Sequence, residues 1–445
     1  MKNIKIKIYT LGCKVNQYDS GKLAGELVRA GFITADKNAD IAVINSCAVT
    51  KTAIIKSGRM VKLAKKENPK AKIVLAGCWP KTYGIKNIAA DFIIAKGEVG
   101  EAIKKIANRF SLFKDKIFTP AIAELALTGR TRYFIKIQDG CEQYCSYCVI
   151  PYARGKLISR GEKEIIREIE RAVKAGYREI VLSGIHLGLY GKTSQLSLRA
   201  TGGSEAISRT RSLTGDCRVA GAPRNDKLTA LLKKLVKIKD LGRIRLSSIE
   251  ITEVSSELIN LMAGSNKICK HLHIPLQSGS DKILKLMNRP YDVKYFSGRI
   301  KKIRQIMPDI AITTDVITGF PGETEKDFKD TEKFIKRIKF SRLHVFPYSA
   351  HEKTPAAKFP GQVKEKNKAQ RAEKLRRLGL KLAEDYKKKF KGRELEITVE
   401  RIKQDEIIGK TEFYFDILFK KRQLIGGEAS QSKKLIGTIV KVKNN

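Results

Sequence analysis

Ile4, Ile6 and Ile8 alternate with lysines at the start of the chain, the period-2 signature of a strand, and from Ser20 the apolar positions respace to helical intervals. The exchange recurs. Ile41 to Asn45 reads as a strand followed by a helix from Thr52, Ile73 to Ala76 as a strand followed by a turn, and Phe92 to Ala95 as a short strand. Strand and helix in alternation predict a parallel sheet with crossover helices. The pattern weakens between residues 112 and 132, where a linker is expected. A second series follows, with strands at Tyr133 to Gln138, Glu179 to Leu182, Arg243 to Ser247, His271 to Leu276, Ala311 to Val316 and Ser341 to Val345. Helical stretches separate them, including Glu162 to Ala175 and Glu325 to Lys336, the latter opened by a capping-box pair, Thr324 and Asp327. Six such repeats predict a partial (β/α)6 barrel, whose reactive end is the C-terminal end of its strands.

Past residue 362 the apolar positions Leu375, Leu378, Leu382 and Tyr386 fall on one face of a helix. From Glu394 onward, alternating runs ("LEITVERI", "FYFDILF", "LIGTIVKVK") predict a small antiparallel β-barrel, a shape often used on RNA. The expected organisation is therefore α/β throughout: a Rossmann-like parallel-sheet domain over 1–112, the barrel over 127–360, a basic helix over 361–391 and the small barrel over 392–445. Residues 193–225 break this style. They are rich in Ser, Thr and Gly, with five arginines and no lysine, and read as an inserted disordered loop.

Charge narrows the partners. Against 46 Asp and Glu stand 89 Lys and Arg, a net charge of +43. A field of that sign draws in polyanions, and nucleic acid leads a membrane surface because no basic amphipathic segment carries aromatic anchors. From Lys364 to Lys391 twelve Lys and Arg face four Asp and Glu, a net +8. No apolar run reaches the roughly 18 residues a membrane span requires, and "MKNIKIKIYT" lacks the apolar centre of a signal peptide, so a cytoplasmic location is expected. In a reducing compartment, eight cysteines point to metal ligation or catalysis rather than disulfides.

Their spacing supports ligation. Cys13, Cys47 and Cys78 each follow a predicted strand, separated by 34 and 31 residues, one strand-helix unit apiece. In an open parallel sheet the strand ends share one edge, so three thiols converge there. A second triplet, Cys141, Cys145 and Cys148 in "IQDGCEQYCSYCVIPYARG", follows the first barrel strand with C-x3-C-x2-C spacing. Structural zinc requires four closed ligands, and no fourth Cys or His stands near either set. A 4Fe-4S cluster with one iron left open fits the set better.

That spacing at the end of the first strand of a partial barrel resembles the radical S-adenosylmethionine (SAM) superfamily. The resemblance implies that SAM binds the open iron, and that its reductive cleavage yields a 5′-deoxyadenosyl radical able to abstract hydrogen from an unactivated carbon. "TLGCKVNQYDS", "VINSCAVT" and "AGCWPK" resemble the N-terminal domain of the radical SAM methylthiotransferases. "LSGIHLGLYG", "HLHIPLQSGSD", "ITTDVITGFPGETEKDF" and "HVFPYS" resemble their radical domain, and the last fifty residues resemble their TRAM RNA-binding domain. Nearly the whole chain outside 193–225 is covered. "LGCKVNQY" and "LHIPLQSGSD" are most similar to the branch that converts N6-threonylcarbamoyladenosine beside the tRNA anticodon to its 2-methylthio derivative. The branch acting on N6-isopentenyladenosine is the second reading, and a non-catalytic iron-sulfur RNA-binding module the third.

The family pattern implies two 4Fe-4S clusters: an auxiliary one on Cys13, Cys47 and Cys78 that handles the inserted sulfur, and the radical one on Cys141, Cys145 and Cys148. It implies two SAM molecules, one methylating that sulfur and one generating the radical, together with a tRNA substrate, a reducing electron donor and a sulfur source. Ser183 and Gly184 follow the second barrel strand, where the superfamily places backbone contacts to SAM. Ser247 and Glu250 end the third, Gln277 and Ser278 the fourth, and Gly319 and Gly322 of "GFPGET" let a backbone approach a ligand closely. His271 and His273 on one strand face are expected to be structural, Tyr147 to pack over the cysteine loop, and Cys217 and Cys269 to ligate nothing. The C-terminal barrel is expected to carry tRNA affinity and to be separable from SAM cleavage. One departure stands out in its pattern: Glu412, Phe413 and Asp416 occupy places where TRAM domains more often carry polar or basic residues.

Overall fold

The computed structural model describes residues 4–82, 89–94, 102–103, 131–192, 226–425 and 435–444. The expected insertion 193–225, with Cys217, lies outside the described residues, as does most of the expected linker. The first five strands are β1 (Lys5–Thr10), β2 (Ile33–Thr34), β3 (Ile41–Ser46), β4 (Lys72–Gly77) and β5 (Phe92–Ile93). They form one sheet in the order β2-β1-β3-β4-β5, parallel at every pairing. Helices α1 (Lys14–Arg29), α2 (Lys51–Glu67) and α3 (Cys78–Thr82) follow β1, β3 and β4. The strand order reverses between β1 and β3, the topological switch point at which open α/β sheets bind ligands. All six residues of β3 are buried, as a central parallel strand covered on both faces requires.

The barrel is built from β6 (Tyr133–Lys136), β9 (Glu179–Ser183), β10 (Arg243–Leu246), β11 (His271–His273), β12 (Ala311–Thr318) and β13 (Arg342–Pro347). All six run parallel, in two three-stranded groups joined by bridges such as Ser248 to His273. A two-stranded clip, β7 (Gln138–Asp139) with β8 (Ile158–Ser159), closes the base of the loop that carries the second cysteine triplet. Helices α4 (Ile150–Arg154), α5 (Glu162–Lys174), α6 (Asp226–Leu235), α7 (Ser256–Gly264), α8 (Asp281–Leu286), α9 (Val293–Ile306) and α10 (Glu325–Ile338) intervene. The Thr324–Asp327 capping box expected from sequence opens α10. Ile135, Ile180, Leu182, Ile244, Leu246, Leu272 and Ile312 pack into one core with the helices. Side chains alternate across a strand, so the other set, with Glu179, Ser183, Arg243, Arg245, His271, His273, Thr313 and Asp315, turns into the barrel. That interior is polar.

The basic helix α11 (Glu365–Lys388) lies against β13, with Leu375 fully buried and Leu378 and Leu382 partly so. Strands β14 (Glu394–Lys403), β15 (Glu406–Thr411), β16 (Asp416–Lys420), β17 (Leu424–Ile425) and β18 (Ile439–Lys443) form an antiparallel sheet in the order β16-β15-β14-β18-β17. Strand β15 is additional to the three runs expected there, because Gly409 and Lys410 interrupt its apolar pattern.

This sheet is docked on the barrel floor through contacts that sequence reading did not anticipate. Arg245 donates to the carbonyls of Glu412 (3.0 Å) and Thr411 (2.9 Å), and Thr398 donates to Glu179 at 2.5 Å. Arg132, leading into β6, pairs with Glu400 at 2.8 Å. At the departures from the TRAM pattern, the Glu412 backbone carbonyl meets Arg245, Phe413 packs on Phe390 with centroids 4.5 Å apart, and Asp416 pairs with Lys410.

Glu179 is fully buried and bonded to Arg245 at 2.8 Å. Burial alone would raise its pKa, but Arg245, Arg132 and Arg243 outweigh burial and hold it down at about 2. A depressed carboxylate stabilises fully above its ordinary value of 4.5, and that contribution is lost as pH falls toward 2. Replacing Glu179 with Gln should therefore destabilise the protein at neutral pH by about 3–5 kcal/mol, since Arg245 is left buried and unpaired. It should also flatten the acid-side decline in stability followed by circular dichroism. Melting curves identical to wild type at every pH would refute this role.

Candidate active site

The three cysteines of the first triplet lie near one another at the C-terminal edge of the parallel sheet. Cys13 takes the N-cap of α1 in an extended conformation, Cys47 directly follows β3, and Cys78 begins α3. Asn16, one turn into α1, knits these loops together. Its amide donates to the carbonyls of Leu11 (2.8 Å) and Ser46 (3.0 Å), and its oxygen lies 3.9 Å from Cys78 Sγ. Ser57 exchanges hydrogen bonds with the backbone N–H and carbonyl of Cys47 at 3.2 and 3.1 Å. Cys13 is exposed whereas Cys47 and Cys78 are buried, so the triplet opens on one side.

The second triplet sits at the mouth of the barrel. Gly140, at φ +73°, admits no side chain, because a Cβ there would lie 1.8 Å from the Lys156 carbonyl oxygen. Cys141 donates its N–H to Gly155 at 3.1 Å, and a turn from Cys148 N–H to the Cys145 carbonyl (2.9 Å) folds the loop on itself. Ser146 anchors it to the end of α8 through the Leu286 carbonyl at 2.7 Å. Tyr147 packs with Met287, Ile317, Phe320 and Tyr348.

Polar partners surround the sulfurs. Arg289 donates to Cys145 Sγ at 3.3 Å and to Tyr291 at 3.0 Å, and it pairs with Glu250. His186 Nδ1 lies 3.4 Å from Cys141 Sγ, and its Nε2 lies 2.5 Å from Glu253. Burial would lower the His186 pKa, but Cys141 and Glu253 prevail and lift it to about 10. Burial, and then the neighbouring Cys145 and Cys141, pushes the Cys148 thiol up to about 12, and burial likewise raises Cys47, Cys78 and Cys145. Burial thus favours the neutral thiol at Cys47, Cys78, Cys145 and Cys148, and a bound cationic metal centre would reverse that preference. Each set supplies three soft donors with no fourth cysteine beside it among the described residues, a donor set that suits a cluster with an open iron; His186, whose ring nitrogen lies near the second set, is also held by Glu253.

Ser183, Gly184, Ser247, Gln277, Ser278, Gly319 and Gly322 lie at or after the C-terminal ends of barrel strands. Ser247 is buried at the end of β10 with its hydroxyl unpartnered among the described residues. Gln277 holds a left-handed backbone at φ +67°, strain of a kind that collects at functional sites. Ser183 spends its hydroxyl on the Ile135 carbonyl at 2.9 Å, and Gly184 lies close beneath Gln138. Ser278 faces Thr331 at 3.3 Å. Gly319 and Gly322 make left-handed turns, with Gly319 over Lys368 and the Gly322 N–H on the Gly361 carbonyl at 2.9 Å. His271 and His273 share the Thr313 hydroxyl, each at 2.9 Å, and Cys269 is buried beside Arg245.

One side chain joins the two thiol sets. Arg154, at the end of α4, lies beside Cys78, bonds Asn16, and pairs with Asp19 at 2.8 Å and Asp139 at 3.1 Å. Beside the first set opens a cleft of about 840 Å³, walled by Cys47, Lys51, Lys56 and the exposed ring of Phe346. Sequence reading missed Asn16, Arg154, His186, Glu253 and Arg289. Asn16, Arg154 and His186 stand within "LGCKVNQY", "IPYARG" and "LSGIHLG", where a polar residue inside a cysteine or strand-end stretch was the available signal.

Residues 135–335 match the model of the radical SAM superfamily, and residues 5–96 match that of an uncharacterized protein family, UPF0004. Among solved structures, the radical SAM methyltransferase TsrM of Kitasatospora setae, with cobalamin and a 4Fe-4S cluster bound, aligns at a TM-score of 0.55. It covers 80% of this chain and 74% of that one at 12% identity, a likeness of fold alone. Fold and thiol loop together define a radical SAM enzyme. The threonylcarbamoyladenosine tRNA methylthiotransferase MtaB of Bacillus subtilis is 35% identical over 98% of this chain and 93% of its own length. The tRNA-2-methylthio-N(6)-dimethylallyladenosine synthase of Thermodesulfovibrio yellowstonii is 35% identical over 90% of this chain and 89% of its own. The chain belongs to the radical SAM methylthiotransferase family. It is an enzyme of that class, and the family's cofactors are SAM and 4Fe-4S clusters.

Replacing Asn16 with Ala removes both bonds that tie the Leu11 and Ser46 loops together. The expected cost is about 1–3 kcal/mol, with faster alkylation of Cys47 and Cys78 in the metal-free protein. Unchanged melting and alkylation rates would show that Asn16 does not position these thiols.

Proposed function

We propose that this enzyme methylthiolates C2 of N6-threonylcarbamoyladenosine beside the anticodon of tRNA, working in the cytoplasm with a reducing electron donor and a sulfur source. The observation that carries the reading is the near full-length similarity to the B. subtilis relative, combined with two separate thiol triplets on one chain. Cys141, Cys145 and Cys148 would hold the cluster that binds SAM, and Cys13, Cys47 and Cys78 the auxiliary cluster. When bound, these groups supply a hydrogen-abstracting radical and the sulfur to be inserted.

The chain's own residues supply position. Ser183, Gly184, Ser247, Glu250, Gln277, Gly319 and Gly322 would line SAM; the unpartnered Ser247 hydroxyl and the strained Gln277 backbone support this most directly. Arg289 keeps a positive charge beside Cys145, and His186 holds a proton between Cys141 and Glu253. Arg154 ties the helix that follows the second triplet to Asn16 beside the first. The exposed Tyr144 and Tyr152, with centroids 6.2 Å apart, offer stacking faces to unstacked bases. The net +8 of residues 364–391 attracts the phosphates.

Mass spectrometry of tRNA nucleosides from a strain lacking this gene tests the reading. Loss of the 2-methylthio derivative of N6-threonylcarbamoyladenosine, restored by the gene in trans, is expected. Loss of the methylthio isopentenyl nucleoside instead would move the enzyme to the other branch, and no change in either would remove the tRNA reading.

A further inference from the structure

Resting on that reading, we propose that Lys14 determines substrate specificity: its ammonium binds the carboxylate that the threonylcarbamoyl group adds to the target adenosine. Lys14 directly follows Cys13, so it begins α1 beside the first thiol triplet. It points toward the barrel interior. Its Nζ stands 5.8 Å from the ring centroid of Tyr414, which comes from the turn between β15 and β16. That ring is deep in the molecule, stacked on His271 of β11 with centroids 4.3 Å apart and planes 15° apart.

Two other cations approach the same ring: Arg245 at 5.3 Å and Lys410 at 5.0 Å. Both have acids. Arg245 holds Glu179 at 2.8 Å, and Lys410 holds Asp416. Among the described residues Lys14 has no carboxylate within ion-pair distance, though it is only partly accessible. An ammonium withdrawn from water and left unpaired is unfavourable, and an arriving carboxylate removes that penalty.

Location selects which anion arrives. The reacting base must come to the space between the thiol sets, and its N6 substituent travels with it, whereas backbone phosphates stay with the cationic outer surface. A threonylcarbamoyl carboxylate would pair with Lys14. An isopentenyl group carries no charge and would leave the ammonium facing hydrocarbon, so one residue both favours one nucleoside and disfavours the other.

The test measures binding of anticodon stem-loops to the anaerobically reconstituted protein by fluorescence anisotropy. The target position carries N6-threonylcarbamoyladenosine, its methyl ester, or unmodified adenosine. Wild type should prefer the acid to the ester by on the order of tenfold to a hundredfold, the range for a hydrogen bond to a charged group. Lys14→Met and Lys14→Gln should bring that ratio to about one, and Lys14→Arg should retain most of it. Melting curves identify any variant that fails to fold, and the ratio is then read from the other neutral variant. A ratio that survives in a folded neutral variant overturns the proposal. So does a surviving ratio with weakened SAM binding, which would assign Lys14 to the SAM carboxylate. Wild type that does not distinguish the modified loop from unmodified adenosine would remove the functional reading itself, a result separable from the behaviour of the variants.

Discussion

Glu179, Arg243 and Arg245 are buried at the foot of the barrel strands, where a charge without a partner would be strongly destabilising. The strands can carry them only because other parts of the chain reach in. Glu179 and Arg245 neutralise one another, Thr398 and the carbonyls of Thr411 and Glu412 bond to that pair, and Arg243 reaches the Lys410 carbonyl at 3.4 Å and Glu396 at 3.5 Å. The C-terminal sheet is therefore the floor of the barrel as well as a candidate RNA-binding surface. A closed barrel filled with apolar side chains would fold without this help. This one keeps six strands and a polar interior, which leaves room for chemistry and obliges neighbouring segments to complete it.

The same constraint acts at the side. Lys136 of β6 pairs with Asp19 of α1 at 2.5 Å, and Tyr18 and Tyr133 both bond Glu168, at 3.1 and 2.8 Å. These contacts seat the N-terminal sheet against the first barrel strand. Arg154 then locks the arrangement, since one guanidinium spans Asp19, Asp139 and Asn16. Packing thus brings a sheet edge and the loop after the first barrel strand to the two sides of one arginine.

Much of this was legible in the sequence. Strand-helix alternation located the parallel sheet and all six barrel strands, because each core-facing set is plainly apolar, as with Ile180, Leu182, Leu246 and Ile312. The spacing also placed Cys13, Cys47 and Cys78 after strands of the parallel sheet and Cys141, Cys145 and Cys148 after the first barrel strand, and the fold has them there. What could not be read were partnerships across long separations. Arg289 meets Cys145 across 144 residues and Arg154 meets Asn16 across 138, and neither pair leaves a local pattern. The docking of the C-terminal sheet was hidden for the same reason: Arg243 and Arg245 sit in an ordinary strand alternation, and only the fold reveals that their side faces inward.

We propose that the two thiol triplets are separate sites serving successive parts of one reaction. The measurement that tests it most directly follows SAM cleavage and methylthiolated product together, in anaerobically reconstituted variants. With Cys141, Cys145 or Cys148 replaced by Ala, both should vanish. With Cys13, Cys47 or Cys78 replaced, 5′-deoxyadenosine should still form while methylthiolated tRNA does not. Equal loss of both activities from either triplet would contradict two separate sites, and normal 5′-deoxyadenosine formation by a Cys141, Cys145 or Cys148 variant would contradict the assignment of the radical centre.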